Sequence, residues 1–191
     1  SACMTSDLSG KVGKAKAKTT STVSSKCGSA PSFGFTDATT VNEAAVEQEV
    51  ALLEAIMGDV STSIIASSSD PTGAKCQASV QKGYEKILQA QVREFESCKK
   101  SGLKAGTIDS QAALADCLDA INTDAKGKVG KAVIKLADTI SKACAGVNMA
   151  AAFPGECSSP GFSDCAEEKS LCRSCLLLNG DLRACRIGSA R

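Results

Sequence analysis

The chain has 191 residues, 43% of them apolar, and a net charge of +1. That is enough for one domain or two small ones and too apolar for disorder throughout, and it lacks the basic excess that nucleic-acid binding needs. There is no histidine, which removes Ser-His-Asp and Cys-His catalysis, the commonest metal ligand and the C-x-x-C-H attachment of c-type haem.

Eleven cysteines point to an oxidising compartment. The number is odd, so at least one thiol is free, ligates something or bonds another chain. With no tryptophan, one tyrosine and five phenylalanines, the core must be built from Ala, Val, Leu, Ile and cystine. Small side chains bury little area each, so cross-links matter. No run approaches transmembrane length. Ser1-Ala2-Cys3 reads as a mature N-terminus after removal of a signal segment.

Residues 1–27 carry Val12, Ala15, Thr19 and Val23 at helical spacing. The run Thr19-Thr20-Ser21-Thr22-Val23 has poor helix propensity, so an extended strand competes, and helix is favoured. Residues 28–38 read as a loop. Thr40-Val41-Asn42-Glu43 is a capping box. The helix behind it carries Val46, Val50, Leu53, Met57, Val60 and Ile64 and is expected to be the most amphipathic of the chain, with this stripe as its core face. Ser67–Gly73 is a linker. It divides a degenerate, truncated repeat (1–70) from a complete cysteine-rich one (71–191).

Segment A, residues 75–100, carries Val80, Tyr84, Ile87, Leu88, Val92 and Phe95 on one helical face, with Cys76 and Cys98 at its ends. Breaks are expected at Ser101-Gly102 and Ala105-Gly106. Segment B restarts at Asp109 or Ser110 and carries Leu114, Cys117, Leu118 and Ile121. Asn122-Thr123-Asp124 reads as a stop and a new cap. Segment C carries Val129, Val133, Leu136, Ile140, Ala143 and Val147, with Cys144 at its end. Folding A back on B and C places Cys98 beside Cys117 at the loop and Cys76 beside Cys144 at the open end. The helical lengths, at about 1.5 Å per residue, suit two rungs of one hairpin.

Residues 145–163 form a loop holding Cys157. Ser163 or Asp164 caps a last helix, segment D, carrying Leu171, Cys172, Cys175, Leu176 and Leu178, and Asn179-Gly180 reads as its left-handed C-cap. Leu182 and Cys185 belong to a final turn.

The vocabulary of C and D recurs near the start. Gly10-Lys11-Val12-Gly13-Lys14-Ala15 matches Gly127-Lys128-Val129-Gly130-Lys131-Ala132, and Cys27 matches Cys144 at the same offset. Cys3 corresponds to Cys117 across a short indel. Lys16 stands for Val133 and Thr19 for Leu136, so the first seam is eroded. Gly58-Asp59-Val60 resembles Gly180-Asp181-Leu182, which sets Val50, Leu53 and Ser63 opposite Cys172, Cys175 and Cys185. The order is B-C-D, then A-B-C-D, which suggests a repeat architecture whose first copy lacks A.

With Lys75-Cys76-Gln77, Cys98, Cys117, Cys144 and Cys172-Arg173-Ser174-Cys175, the chain resembles uncharacterised secreted cysteine-rich α-helical repeat proteins of bacteria. The resemblance covers residues 75–185 well and 3–63 poorly. It implies secretion and repetition and no particular activity.

Cys165, Cys172, Cys175 and Cys185 could together supply four thiolates to zinc. The spacing lacks the second close pair of a zinc ribbon, and disulfides among these four and Cys157 are the expected reading. Thioredoxin-like catalysis needs the first cysteine of C-x-x-C at a helix N-terminus beside a sheet, and this pair lies mid-helix in a chain without strand signals. The acidic residues read as solvated faces. The two Gly-Lys-Val-Gly-Lys runs lack the spacing of a phosphate loop.

The expected fold is therefore all-α, made of disulfide-stapled antiparallel hairpins, with no metal, no cofactor and no enzymatic activity. The expected function is that of a secreted structural, self-assembling protein at the cell surface, outside the cell or in the periplasm. It would be a homo-oligomer or polymer, such as a filament or surface-layer subunit. Its incomplete first repeat would be completed by a neighbouring subunit through a heterologous contact, with Cys3 and Cys27 as candidate intermolecular cysteines. The alternative is a monomeric, disulfide-rich helical carrier of a small apolar ligand.

Overall fold

The computed structural model describes residues 7–29, 32–157 and 161–179. All regular structure among them is helical: α1 (Lys11–Lys26), α2 (Ala38–Met57), α3 (Val60–Ser63), α4 (Pro71–Ala105), α5 (Gln111–Ala115), a 3-10 turn (Asp116–Leu118), α6 (Asp119–Thr123), α7 (Lys128–Ala143), α8 (Met149–Ala152) and α9 (Phe162–Asn179).

Helix α4 is the axis of the molecule. Asp70 caps it, accepting from the N–H groups of Thr72 and Gly73 at 3.0 and 2.9 Å. Pro71 opens it and Gly106, at φ 72°, closes it in the left-handed region. The expected break at Ser101-Gly102 does not occur. Gly102 stays helical, and its lack of a side chain lets Ile108 fold back onto the helix: a Cβ there would lie 2.5 Å from Ile108 Cδ1. The glycine serves close approach and does not break the helix.

Segments B and C fold back along α4. Leu114, Cys117, Leu118 and Ile121 join Phe95 and Ile108 in one apolar cluster at the loop end. Val129, Val133 and Leu136 of α7 meet Val80, Tyr84, Ile87 and Leu88 in the larger cluster. Two disulfides staple the pair, Cys76–Cys144 at the open end and Cys98–Cys117 at the loop end. These are the rungs expected from helix length. Helix α9 packs on α2 and α4, and α1 lies along α2.

Gln77 ties the open end together. Its Nε2 donates to the carbonyls of Ser63 at 2.8 Å and Ala152 at 2.7 Å, and its Oε1 accepts from Ile65 N–H at 2.9 Å. The Lys-Cys-Gln triplet therefore sets a cross-link and a three-way hydrogen-bonded clamp side by side.

Helix α2 departs from its sequence reading in three ways. Its cap is Asp37, which accepts from the N–H groups of Thr39 and Thr40 and from Thr40 Oγ1. The helix therefore starts before the expected box at Thr40. Gly58 ends it at φ 73°, and Asp59 caps the separate turn α3. The buried face holds Gln48, Leu52, Ala55, Ile56 and Met57, whereas Val46 and Ile64 of the expected stripe are exposed. Met57 of that stripe is in the core, and Leu53 and Val60 pack against it, so the inward face keeps the C-terminal part of the expected stripe and takes in Leu52, Ala55 and Ile56 beside it, on the side that meets α9. The most regular apolar seam belongs to α7. Leu52, Ile56 and Met57 share a cluster with Val80 and Val133, so the core runs across the 67–73 linker.

The last segment also differs in detail. A short helix, α8, interrupts the 145–163 loop, and α9 begins at Phe162, a residue before the expected cap. Gly180, Leu182 and Cys185 lie outside the described residues, as does Cys3.

Candidate assembly site

Two helices of this fold are built to one plan and meet different fates. Helices α1 and α7 each run for 16 residues. Each opens on a glycine in the left-handed region, Gly10 at φ 63° and Gly127 at φ 61°, where a side chain would strain the backbone. In each, an aspartate six residues before the helix's first internal glycine caps the free N–H groups. Asp124 accepts from Lys128, Val129 and Gly130 at 2.7, 3.1 and 2.9 Å. Asp7 accepts from Gly13 at 2.6 Å, and this bond holds its carboxyl below the usual carboxylate range. Each helix ends on a cysteine whose N–H closes the last turn, Cys27 on Val23 O and Cys144 on Ile140 O. The aspartates are the part of the match that reading Gly-Lys-Val-Gly-Lys-Ala alone omits. Extending the comparison upstream to Asp-x-x-Gly would have found them.

Beyond the backbone the two diverge. Val129 is 2% exposed under α4, and its counterpart Val12 is 46% exposed. Leu136 is fully buried, whereas α1 has no buried residue. Cys144 is bonded to Cys76, whereas Cys27 is an exposed free thiol. The cause is the missing cover. Helix α7 lies against α4, whereas among the described residues α1 packs on α2, whose Asn42 Nδ2 donates to the Lys16 carbonyl of α1 at 3.3 Å. The Thr/Ser run is helical nonetheless. Thr19, Thr20, Ser21 and Ser25 satisfy their hydroxyls on carbonyls three or four residues back, a pattern that mildly weakens a helix.

The exposed surface of this pair is polarised. Helix α1 carries five lysines and no acidic residue, and α2 carries four glutamates and no basic residue. Lys11, Lys14 and Lys18 recur at i, i+3 and i+7 on one face. Glu43, Glu47 and Glu54, all exposed, recur at i, i+4 and i+11. Among the described residues no ion pair joins the two helices; the salt bridges there are Lys128–Glu94 and Lys169–Glu156.

The remaining cysteines divide as follows. Cys157 bonds Cys165, and Cys175 is also disulfide-bonded. Cys172, expected among the disulfides, is instead a free, half-buried thiol. Cys157 is taken by Cys165 at the start of the same helix, and Cys175 stands only one turn away. With Cys165 and Cys175 oxidised, the four-thiolate zinc set is dismantled. The described residues contain no cluster of three metal-ligating side chains.

The seam between α4 and α7 is filled. Val80, Tyr84, Ile87 and Leu136 are all fully buried. Among the described residues, surface clefts lie away from that seam, including one of about 480 Å³ beside the Cys98–Cys117 rung and one between Gly58 and Pro154. Among the described residues no helix is long and apolar enough to cross a membrane. The chain matches no protein-family model, no curated protein and no solved structure.

Proposed function

We propose that this protein is a secreted, non-catalytic structural subunit that self-assembles, as a filament or surface layer does, through its N-terminal helices. The contrast between Cys27 and Cys144 carries the reading. One capped, cysteine-ended helix recurs twice, covered and cross-linked in the second place, uncovered and unlinked in the first. A surface already shaped to take a cover and a bond is completed most simply by a neighbouring copy. The disulfides suit an oxidising compartment, which supports export. The carrier alternative wants space between helices, and the filled α4–α7 seam gives it no support.

The test is native material run on gels with and without reductant, followed by disulfide mapping and electron microscopy. Multimers that collapse to one 19.4 kDa band on reduction, with Cys27 linked to a second chain, are expected. A single monomer band in both lanes, with no particles larger than a monomer in the microscope, overturns the proposal.

A further inference from the structure

We infer that what covers α1 is the same hairpin, α1 with α2, of a second copy, related by a two-fold axis along the helices, with Cys27 joined to the partner's Cys27. This rests on the self-assembly proposed above and names its contact.

A neighbour has no second α4 among the described residues to lend. Its α4 is bonded through Cys76 and Cys98 and buried against α7 and α9. What it can offer is a surface like the one left open here. That surface is self-complementary. A two-fold along the hairpin sets the lysine face of each α1 (Lys11, Lys14, Lys18) against the glutamate face of the partner's α2, and does so twice. Charge patterns that match across an interface speed encounter and fix register. The side chains left in water on the hairpin are apolar as well as charged. Leu8 and Val12 are exposed at α1, and Val41 and Val46 at α2. Pairing two hairpins into four helices is the usual way such faces are covered.

The operator also fixes the cysteine. A contact of this kind brings each residue on the axis to its own equivalent. Cys27 ends the Val12, Thr19, Val23 stripe, as Cys144 ends the buried stripe of α7. Joining the two Sγ atoms releases two thiol protons and two electrons. A disulfide oxidant of the glutathione class takes up both and leaves as two thiols. The result is a closed pair, joined through the N-terminal helices, as the unit of assembly.

The test uses the full chain in a glutathione buffer, with non-reducing gels, peptide mapping and sedimentation equilibrium. Wild type should give a dimer with a Cys27–Cys27 linked peptide. Cys27→Ser should still dimerise at low salt, and more weakly as salt rises. Adding Lys14→Glu and Lys18→Glu should weaken that dimer by about 10-fold or more, and further adding Glu43→Lys and Glu47→Lys should restore it. Circular dichroism controls for folding. A ladder in which Cys27 is bonded to Cys172 overturns the two-fold pairing and leaves self-assembly standing. So does failure of the compensating charges to restore the dimer. A monomer in every condition, with Cys27 open to alkylation, overturns both.

Discussion

Gln77 Nε2 lies 2.7 Å from the carbonyl oxygen of Ala152, a hydrogen bond between residues 75 apart in the chain. The same side chain serves Ser63 and Ile65, so one buried amide holds the turn after α2, the start of α4 and the end of α8. Replacing it with leucine would leave two carbonyls and one N–H without partners in the interior. Each such group costs on the order of 1–3 kcal/mol. Gln77→Leu is expected to lower stability by about 3 kcal/mol or more, measured by denaturant unfolding with disulfides intact. Gln81→Leu, on the part-exposed face of the same helix, should change it by less than about 0.5 kcal/mol.

The two rungs differ in the length of chain they close. Cys76–Cys144 spans 68 residues and Cys98–Cys117 spans 19. Loop-closure entropy then assigns about 4 kcal/mol to the first and about 3 kcal/mol to the second. Paired serine replacement at 76 and 144 should lower the melting temperature further than the pair at 98 and 117. An equal or reversed order would show that native-state packing around Cys98, and not the unfolded chain, sets the cost.

The two aspartate caps should not be equivalent. Asp124→Ala removes three acceptor bonds from a helix whose seam is in the core, and a lost cap typically costs about 1–2 kcal/mol. Asp7→Ala loosens a helix with no buried residue. It is expected to reduce helicity and hydrogen-exchange protection over 11–26 while leaving global unfolding nearly unchanged. Amide exchange resolves the two cases.

One carboxyl should couple stability to pH. Burial, and then repulsion from Glu85, raise Glu49 above its ordinary 4.5. The folded state holds that proton more tightly than the unfolded one. Its contribution is therefore full below pH 4.5 and is lost as pH rises through the raised folded value. Glu49→Gln should raise the melting temperature at neutral pH, and its advantage should shrink to nothing as pH falls below 4.5. Glu156 has the opposite sense. A hydrogen bond from Lys169, and then its charge, lower the Glu156 carboxyl, so Glu156→Gln should matter least in acid.

The all-α fold and the two rungs were legible because helical spacing and cysteine position answer one question. A stripe at i, i+4 and i+7 fixes which side of α4 and of α7 meets the other, and the lengths from Cys76 to Cys98 and from Cys117 to Cys144 fix which ends meet. The α2 core face was legible only in part. Met57 and Leu53 of the expected stripe reach the core, but Val46 does not, because Leu52, Ala55 and Ile56 offer a competing apolar side and packing against α9 favours it. The fate of Cys172 was not legible. Five cysteines close together in sequence, from Cys157 to Cys185, leave several pairings open, and the pairing depends on which side of α9 turns inward.

The repeated helix shows the same division. By itself the sequence determined that the two Gly-Lys-Val-Gly-Lys-Ala segments would each be followed by a cysteine at the same distance, because that match is local to each segment. Only the tertiary structure decided that one of those cysteines is cross-linked and the other free. That outcome depends on α4, which the second helix has beside it and the first does not.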